Sequence, residues 1–288
     1  DVYKRQTGGG TIFRDIYHNN VAEMHIYNDN RLQIHQYWNP ENLIQNQNED
    51  IAPETIAYNL TDTVINYLKF CPAEKVSLSL TAGVDSRLLF SILKSLKFNL
   101  HTYTYGDPGS VDVQLARVIS GVFQIPYSSH ADVFSKESFT EAARITISQG
   151  QSLCSLHRSH RLKAIQKETP FGDVMFLGTM GGEFIKGPNR DDYIISNFVY
   201  DFSKKQDINT LIKYLTEKEI YIEQLDLEFL LNFFRNQSWC KYPEKVDFFT
   251  LIEIAASLHH AQNNILYSNY FTQIFTPYID IDYLEILF

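Results

Sequence analysis

A short turn between an apolar run and an amphipathic run carries the residue types best suited to chemistry. It reads TAGVDSR, beginning at Thr81, and combines small residues, two hydroxyls and one carboxylate. Ala82 and Gly83 let the backbone approach an anion closely, and the hydroxyls of Thr81 and Ser86 add donors. Asp85 would repel a phosphate unless a divalent cation bridged the two, and Mg²⁺ commonly pairs one or two carboxylates with phosphate oxygens. The turn therefore predicts a phosphate site that includes Mg²⁺.

Helix capping is the other explanation of the acid and the hydroxyl in this turn. Asp and Ser are both favoured at the start of a helix, and Asp85 and Ser86 stand where the amphipathic run begins. The chain has no G-x-x-x-x-G-K-[ST] loop and no G-x-G-x-x-G after a strand. Its motifs therefore exclude an ordinary kinase-like NTPase and a nicotinamide-dependent enzyme.

The turn lies within a long alternation of predicted strands and helices. The apolar run VSLSL precedes it and the helical pattern SRLLFSILKSL follows it. Further strands are predicted at HTYTYG, QIPYSSH and VMFLG, and further helices at ETIAYNLTDTVINYLKF, SVDVQLARVISGVF (capped by Ser110) and ESFTEAARITIS. Such an alternation forms right-handed βαβ units in a parallel sheet, which binds ligands beyond the carboxyl ends of its strands. We expect a three-layer α/β domain that becomes mainly helical from about residue 203, with 247–267 as the longest candidate helix.

The first fifty residues have a different pattern. Residues 11–38 alternate apolar and polar positions in short runs, and the cluster Asn28-Asp29-Asn30 predicts a hairpin turn. The polar, Asn/Gln-rich run at 39–50 predicts a linker. We therefore divide the chain into a small β unit with its linker, 1–50, and an α/β domain, 51–288.

The charge balance and the cysteines limit the function classes. The chain has 34 acidic and 25 basic residues, a net charge of -9, which argues against nonspecific binding to nucleic acid or an anionic membrane. No apolar run reaches the roughly 18–20 residues that span a bilayer, and DVYKRQTGGG lacks a signal-peptide pattern. Cys71, Cys154 and Cys240 are widely separated, so we expect reduced thiols in a cytoplasmic protein. The missing initiator Met and the apolar end IDYLEILF suggest a fragment of a longer chain.

Four stretches, in order, resemble the asparagine synthetase branch of the N-type ATP pyrophosphatases. LSLTAGVDSR resembles their pyrophosphate-binding loop, usually S-G-G-x-D-S, and TYTYGDPGSVDVQLARVISGVFQIPYSSH resembles the strand, helix and strand that follow it in that branch. LGTMGGEFIKG occupies the place of the second glycine-rich loop, usually G-E-G-x-D-E, and FTPYIDIDYLEIL resembles the later P-F-L-D segment. In front of these, GTIFRDIY through QYWNP is similar to the last strands of the family's glutaminase domain.

The resemblance implies a PP-loop (adenine nucleotide alpha hydrolase-like) fold and adenylation chemistry. In this family a substrate carboxylate attacks the α-phosphate of ATP to give an acyl-adenylate and pyrophosphate. Ammonia or an amine then displaces AMP and forms an amide. The implied cofactors are ATP and Mg²⁺. The implied partners are a small carboxylate and an ammonia or amine donor, without nucleic acid or membrane, and a homo-oligomer is compatible with this class.

The resemblance also implies site residues, position by position. Asp85 would bind Mg²⁺, which offsets charge developing on the leaving pyrophosphate, with Glu183 as a second metal ligand. Leu80 and the Tyr105-Gly106 pair would face the adenosine. The residues implied to bind ATP or pyrophosphate are Leu80, Thr81, Ala82, Gly83, Val84, Asp85, Ser86, Tyr105, Gly106, Gly181, Gly182 and Lys186. No residue is assigned to the chemical step itself.

Several positions depart from the family pattern. Thr81 and Ala82 replace the usual Ser-Gly, which keeps the hydroxyl, and Arg87 replaces a second Ser, where it either touches phosphate or points to solvent. Gly182 stands where a second metal-binding Asp is usual, so either Glu183 takes that role or the metal site is weakened. The chain lacks the family's N-terminal Cys nucleophile, so as given it does not hydrolyse glutamine.

The remaining polar clusters carry less weight. His157 and His160 in SLHRSH are three positions apart, without a third ligand spaced for zinc. With the neighbouring arginines they form an alternative site for a carboxylate substrate or a phosphate. Lys186 either reaches a phosphate or is a solvated lysine, and Asp112 is interpreted as a helix-start acid and no more.

The leading hypothesis is an ATP-dependent, AMP-forming amide-bond synthetase of the asparagine synthetase type. The departures at Ala82, Arg87 and Gly182 favour a specialised relative, such as a secondary-metabolite or peptide-modifying amide synthetase, over a housekeeping enzyme. A hypothesis of a different class is a catalytically weak nucleotide-binding or scaffold protein. The sequence leaves the acceptor acid, the amine donor and the oligomeric state open.

Overall fold

A five-stranded parallel sheet is the centre of the structure. The structure is a computed structural model. It describes residues 22–39, 41, 43, 51–150, 156, 159–182, 197–221, 225–246, 249, 269 and 271–287. The strands are β1 Glu23–Asn28, β2 Arg31–Gln36, β3 Lys75–Ser79, β4 Asn99–Tyr105, β5 Tyr127–His130, β6 Val174–Phe176 and β7 Gln273–Phe275. The helices are α1 Pro53–Phe70, α2 Val84–Ser95, α3 Val111–Val122, α4 Lys136–Gly150, α5 His160–Glu168, α6 Asn197–Lys205, α7 Ile208–Glu217, α8 Leu227–Arg235, α9 Ser238–Lys241 and α10 Ile281–Leu287. Short 3₁₀ turns occupy Asp132–Phe134, Pro243–Lys245 and Pro277–Ile279.

The sheet order is β5–β4–β3–β6–β7, and every neighbouring pair is parallel. From β3 the chain moves outward through β4 to β5 on one side, and then returns to place β6 and β7 on the other side of β3. The direction of winding therefore reverses between β3 and β6. Such a reversal is the topological switch point of an open α/β sheet.

Alternate residues of the strands supply a core on each face of the sheet. One face presents buried residues that pack with α1, α2 and α3, namely Val76, Leu78, Leu100, Val174 and Phe176. The opposite face presents Tyr103, Met175 and Ile274, which pack with Ala164 and Ile165 of α5. Strands buried on both faces between helices are the pattern of a parallel sheet. The predicted three-layer α/β architecture is confirmed, and the predicted strands and helices between 51 and 178 are present within a few residues of their expected bounds.

The N-terminal hairpin matches its sequence signal. β1 and β2 pair antiparallel with Asn28 opposite Arg31, and the turn residues Asp29 and Asn30 have φ values of 47° and 59°. Two consecutive left-handed residues are what a type I′ hairpin turn requires. The predicted strand at 11–17 and most of the predicted linker at 39–50 lie outside the described residues, so the division at residue 50 stays a prediction.

The C-terminal helices pack around aromatic side chains. Their buried cluster comprises Phe198, Phe202, Leu211, Leu215, Trp239, Cys240, Val246 and Phe249. This cluster agrees with the predicted helical portion, whereas the candidate helix at 247–267 lies outside the described residues apart from Phe249. None of the described helices is both long and apolar enough to cross a bilayer. Cys71 and Cys240 do not take part in a disulfide within the described part of the chain, and Cys154 lies outside it.

Candidate functional site

The candidate site lies at the switch point, where the carboxyl ends of β3 and β6 are adjacent. β3 ends at Ser79 and leads into the first turn, residues 80–83. β6 ends at Phe176 and leads into the second turn, residues 177–182. Leu78 and Phe176 are partners in the parallel register, so both turns leave the same edge of the sheet. Open parallel sheets bind their ligands at this position.

Ser86 holds the first turn together. Its Oγ accepts a hydrogen bond from the Thr81 amide at 3.0 Å and lies 3.1 Å from the carbonyl oxygen of Gly83. The Thr81 hydroxyl is 3.0 Å from the same Oγ, and it accepts from the Gly83 amide at 3.1 Å. Only 5% of Ser86 is exposed. The two hydroxyls that the sequence offers to a phosphate therefore also fold the turn.

The helix that follows begins without a side-chain cap. Gly83 is its N-cap, and Val84 is its first helical residue. Asp85 thus lies inside the first turn of α2 and does not cap it, which removes the capping explanation for this acid. First-turn amides of a helix have no carbonyl partner within the helix, so the amides of residues 84–86 are the donors that this turn presents to an anion.

Asp112 does more than begin a helix. Its Oδ1 accepts a hydrogen bond from the Ala82 amide at 2.8 Å, although the two residues are 30 positions apart. Asp112 stands in the first turn of α3, two residues after the N-cap Ser110. The contact joins the start of α3 to the first turn, and the interpretation of Asp112 as a helix-start acid alone was incomplete.

Glycines let the second turn come into contact with the first. A Cβ at Gly178 would lie 2.8 Å from the amide nitrogen of Ser86, and a Cβ at Gly181 would lie 2.9 Å from the Cβ of Asp85. A Cβ at Gly182 would lie 3.2 Å from Oδ2 of Asp85. Contacts below 3.0 Å leave no room for a side chain. The structure therefore brings Gly181 and Gly182 directly against Asp85.

Met180 enters this second turn in a strained conformation. Its φ is 71°, in the left-handed region that residues other than glycine rarely adopt. Its side chain is buried in a cluster with Trp38, Leu43 and Leu284. Burial of a Met side chain stabilises by about 2 kcal/mol, enough to offset a left-handed residue that costs about 1–2 kcal/mol. The packing thus holds the backbone at the angle from which Gly181 reaches Asp85.

A tyrosine from the C-terminal segment completes the contact. The hydroxyl of Tyr278 donates to the carbonyl oxygen of Asp85 at 2.9 Å, and its side chain is fully buried. Tyr278 lies in the stretch that resembles P-F-L-D, directly after β7. No local pattern predicts this contact, because it joins residues 193 positions apart.

The proposed adenosine side is less open than the resemblance implies. The Leu80 side chain is fully buried in the main core, and its carbonyl accepts from the Thr104 hydroxyl at 2.5 Å. Tyr105 is half-buried, with its ring 5.6 Å from the ring of His160. Gly106 has a φ of 145°, a conformation that glycine adopts readily. Tyr105 and Gly106 are therefore the better-placed candidates for contact with a base.

Several predicted residues have no described position. Glu183, Lys186 and His157 lie outside the described residues, so their assigned roles stay predictions. Arg87 is exposed, and its Nε donates to the carbonyl oxygen of Gly83 at 3.4 Å. Val84 is 53% exposed at the start of α2.

The described residues fit a magnesium ion that arrives with a nucleotide. No group of three or more His, Cys, Asp or Glu side chains in the described part of the chain could hold a metal by itself. One carboxylate together with phosphate oxygens and water is a common ligand set for Mg²⁺. Asp85 supplies that carboxylate, and the bare Cα of Gly182 faces it. A metal held by these described residues without phosphate does not fit.

A buried ionic cluster lies beneath the adenosine side. Glu168 ends α5 fully buried, with Oε1 2.5 Å from His130 Nε2 and Oε2 2.9 Å from His101 Nδ1. The His101 contact is close but poorly aligned for a hydrogen bond. Burial raises the pKa of Glu168, but the close interactions of its carboxylate with the two histidines outweigh it and leave the pKa below its ordinary value. The cluster fixes α5 against β4 and β5, and so holds His160, at the other end of α5, beside Tyr105.

The chain shows only weak similarity to known proteins. No protein-family model matches the chain, and no curated protein matches it significantly. A structure of a predicted tRNA methyltransferase subunit from Methanocaldococcus jannaschii is 18% identical, covers 55% of this chain and 73% of its own, and has a TM-score of 0.26. The NH3-dependent NAD synthetase of Campylobacter jejuni is 16% identical, covers 67% of this chain and 97% of its own, and has a TM-score of 0.33. At these identities and TM-scores neither protein supports a statement about the substrate or mechanism of this one.

Proposed function

We propose that this chain belongs to an ATP-dependent, AMP-forming amide-bond synthetase of the asparagine synthetase type. In this proposal a cytoplasmic enzyme uses ATP and Mg²⁺ to adenylate a small carboxylate, and then passes the acyl group to ammonia or an amine. The departures at Ala82, Arg87 and Gly182 make a specialised relative the preferred form of the proposal.

The observation that carries the proposal is the meeting of three separate stretches at one point. Asp85 comes from the stretch like S-G-G-x-D-S, Gly181 and Gly182 from the stretch like the second glycine-rich loop, and Tyr278 from the stretch like P-F-L-D. All four residues are in contact or nearly so around the Asp85 backbone and carboxylate. Unrelated sequence likenesses would have no reason to converge at the switch point of a sheet.

The geometry suggests a division of tasks. The first-turn amides of α2 bind the pyrophosphate end of ATP, because they face the N-terminal end of the helix and its positive dipole. Asp85 holds Mg²⁺, which offsets the charge that develops on the leaving pyrophosphate. Because Gly182 has no side chain, none covers that carboxylate at this position. Tyr105 and Gly106 lie at the end of the neighbouring strand, where the adenosine would be placed.

In this proposal, positive charge near the reacting end of the nucleotide comes from the H-R-S-H-R cluster, residues 157–161. Ser159, His160 and Arg161 are the described members of the H-R-S-H-R cluster, and His160 meets the ring of Tyr105. This position favours the cluster as a site for the substrate carboxylate. The partners of the proposed enzyme are thus a small carboxylic acid and an ammonia or amine donor, without nucleic acid or membrane.

The test is ATP–pyrophosphate exchange with the full chain and a panel of small carboxylic acids. We expect exchange that depends on Mg²⁺ and on one class of acid. Asp85→Asn removes the charge of the proposed metal ligand at nearly constant size, so exchange should fall by about a hundredfold or more. Absence of exchange with every acid, together with no ATP binding by calorimetry, rejects the proposal. Unchanged exchange in Asp85→Asn rejects the role of that residue.

The absence of a side chain at Gly182 favours a second candidate function. Where the family pattern has a metal-binding acid, this chain has only the backbone of Gly182, on which a Cβ would lie 3.2 Å from Asp85 Oδ2. A protein with one carboxylate at this position could bind MgATP without turning it over, as a nucleotide-binding scaffold. The same two assays separate the candidates, because the scaffold binds ATP in the calorimeter but gives no exchange with any acid.

A further inference from the structure

Two buried tyrosines follow β7 and lie close to the first turn. Tyr278 is fully buried, and Tyr283 is 1% exposed. Their rings meet edge to face, with centroids 6.0 Å apart. Burial first, and then the charge of Asp85, raise the pKa of both phenols, that of Tyr283 to about 12. Both hydroxyls therefore stay protonated at neutral pH.

The two hydroxyls differ in what they bind. That of Tyr278 donates to the carbonyl oxygen of Asp85 at 2.9 Å. That of Tyr283 is buried without a hydrogen-bond partner among the described residues. One phenol therefore reaches the backbone of the proposed metal ligand, while its neighbour, in the same electrostatic surroundings, does not.

The ring of Tyr278 also limits the second turn. A Cβ built on Gly181 would lie 2.8 Å from two carbons of that ring and 2.9 Å from the Cβ of Asp85. The three residues thus form a closed contact in which the ring supports Gly181 and the hydroxyl holds Asp85. The ring is itself fixed, because Tyr278 belongs to the main core with Phe176 and Leu89.

The hydroxyl is a departure of this chain from the stretch it resembles. Tyr278 occupies the place of Phe in P-F-L-D, where an aromatic ring alone would fill the same space. The carbonyl of Asp85 is in the first turn of α2 and has a helical partner four residues later by the ordinary pattern of a helix. The helix therefore does not need the hydrogen bond from Tyr278 in order to form. The effect of that hydrogen bond is to fix the position of Asp85.

We propose that Tyr278 is a positioning residue that fixes the backbone of Asp85, so that the carboxylate meets the cation of a bound metal–nucleotide complex. The inference rests on the proposed function. It predicts that the hydroxyl of Tyr278 strengthens binding of the cation in the presence of ATP, and has little effect on ATP without a cation.

The test compares Tyr278→Phe with Tyr283→Phe, each of which removes one buried hydroxyl and keeps the ring. Mn²⁺ replaces Mg²⁺, and its binding to the full chain is followed by electron paramagnetic resonance with and without ATP. A hydrogen bond contributes about 1 kcal/mol, so Tyr278→Phe should raise the dissociation constant of Mn²⁺ in the presence of ATP about fivefold. Tyr283→Phe should leave it within twofold of wild type. A purely structural role would lower the melting temperature of Tyr278→Phe without this change in cation affinity.

The outcomes separate this inference from the proposed function. If the wild-type chain shows no ATP-dependent binding of Mn²⁺, both fall together. If the wild type binds Mn²⁺ with ATP and Tyr278→Phe binds it equally well, only the positioning role is overturned. An equal weakening in both variants also overturns it, because the effect would then come from the core and not from the hydrogen bond.

Discussion

Replacing Gly181 by alanine tests the contact between the two turns. The new methyl group would lie 2.8 Å from two ring carbons of Tyr278 and 2.9 Å from the Cβ of Asp85. Neither neighbour is the free end of a flexible side chain: the ring is fully buried, and the Cβ belongs to a helix. One backbone must therefore move.

The expected cost follows from overpacking. Adding a methylene-sized group to a well-packed site costs about 1–3 kcal/mol, and the lower chain entropy of unfolded alanine returns about 0.4–1 kcal/mol of this. A net loss of about 1–2 kcal/mol corresponds to a melting temperature lower by about 2–8 °C in a chain of this size. Because Asp85 is one of the groups displaced, exchange activity should fall about tenfold to a hundredfold as well.

Thermal unfolding by circular dichroism measures the first effect, and ATP–pyrophosphate exchange measures the second. Gly121→Ala is the matched control, since Gly121 is in α3 and a Cβ there would meet nothing within 4 Å. In a helix the control should be more stable than wild type by about 0.5–1 kcal/mol. A Gly181→Ala protein at least as stable as the wild type would refute the described contact.

Two further substitutions address the surroundings of the site. Asp112→Ala removes the acceptor of the Ala82 amide, so we expect a loss of about 1 kcal/mol and faster hydrogen exchange at Ala82, measured by mass spectrometry. Exchange as slow as in the wild type would contradict the contact. Glu168→Gln breaks a buried ionic cluster and should lower the free energy of urea unfolding at pH 7 by about 3–5 kcal/mol. Because the folded-state pKa of Glu168 lies below its ordinary value, the stabilisation is present above about pH 4.3 and is lost as the pH falls through the folded pKa. The difference between variant and wild type should therefore vanish in acid, and a difference that persists there would contradict the charge assignment.

The α/β layers were predictable because their signals are local. Period-two and period-3.6 patterns, the N-cap Ser110 and the turn at Asp29 and Asn30 each act within a few residues. A parallel arrangement of strands follows from the length of the helices between them. Local chemistry therefore specified which elements form and where the first turn lies.

The contacts that build the site were not predictable in the same way. The hydrogen bonds of Asp112 to Ala82 and of Tyr278 to Asp85 join elements whose relative placement depends on the whole sheet. The buried Glu168 cluster is similar, because a Glu in a helix ordinarily lies in solvent and nothing nearby in sequence marks it as buried. The capping explanation of Asp85 failed for a different reason: α2 begins at Val84, two residues before the predicted start at Ser86, so the acid falls inside the first turn.

The hydrogen bond between Tyr278 and Asp85 also affects the order in which this protein folds during its own synthesis on the ribosome. Its two ends are separated by 193 positions, so the first turn leaves the ribosome long before the segment that fixes it. β3, β4 and β5, with the helices between them, can form an ordered unit early, since each adds to a neighbour already made. The second turn and Tyr278 arrive only with β6 and the residues after β7. A nascent chain would therefore complete the contact around Asp85 only after the residues that follow β7 have been made, when the tyrosine closes on the helix start.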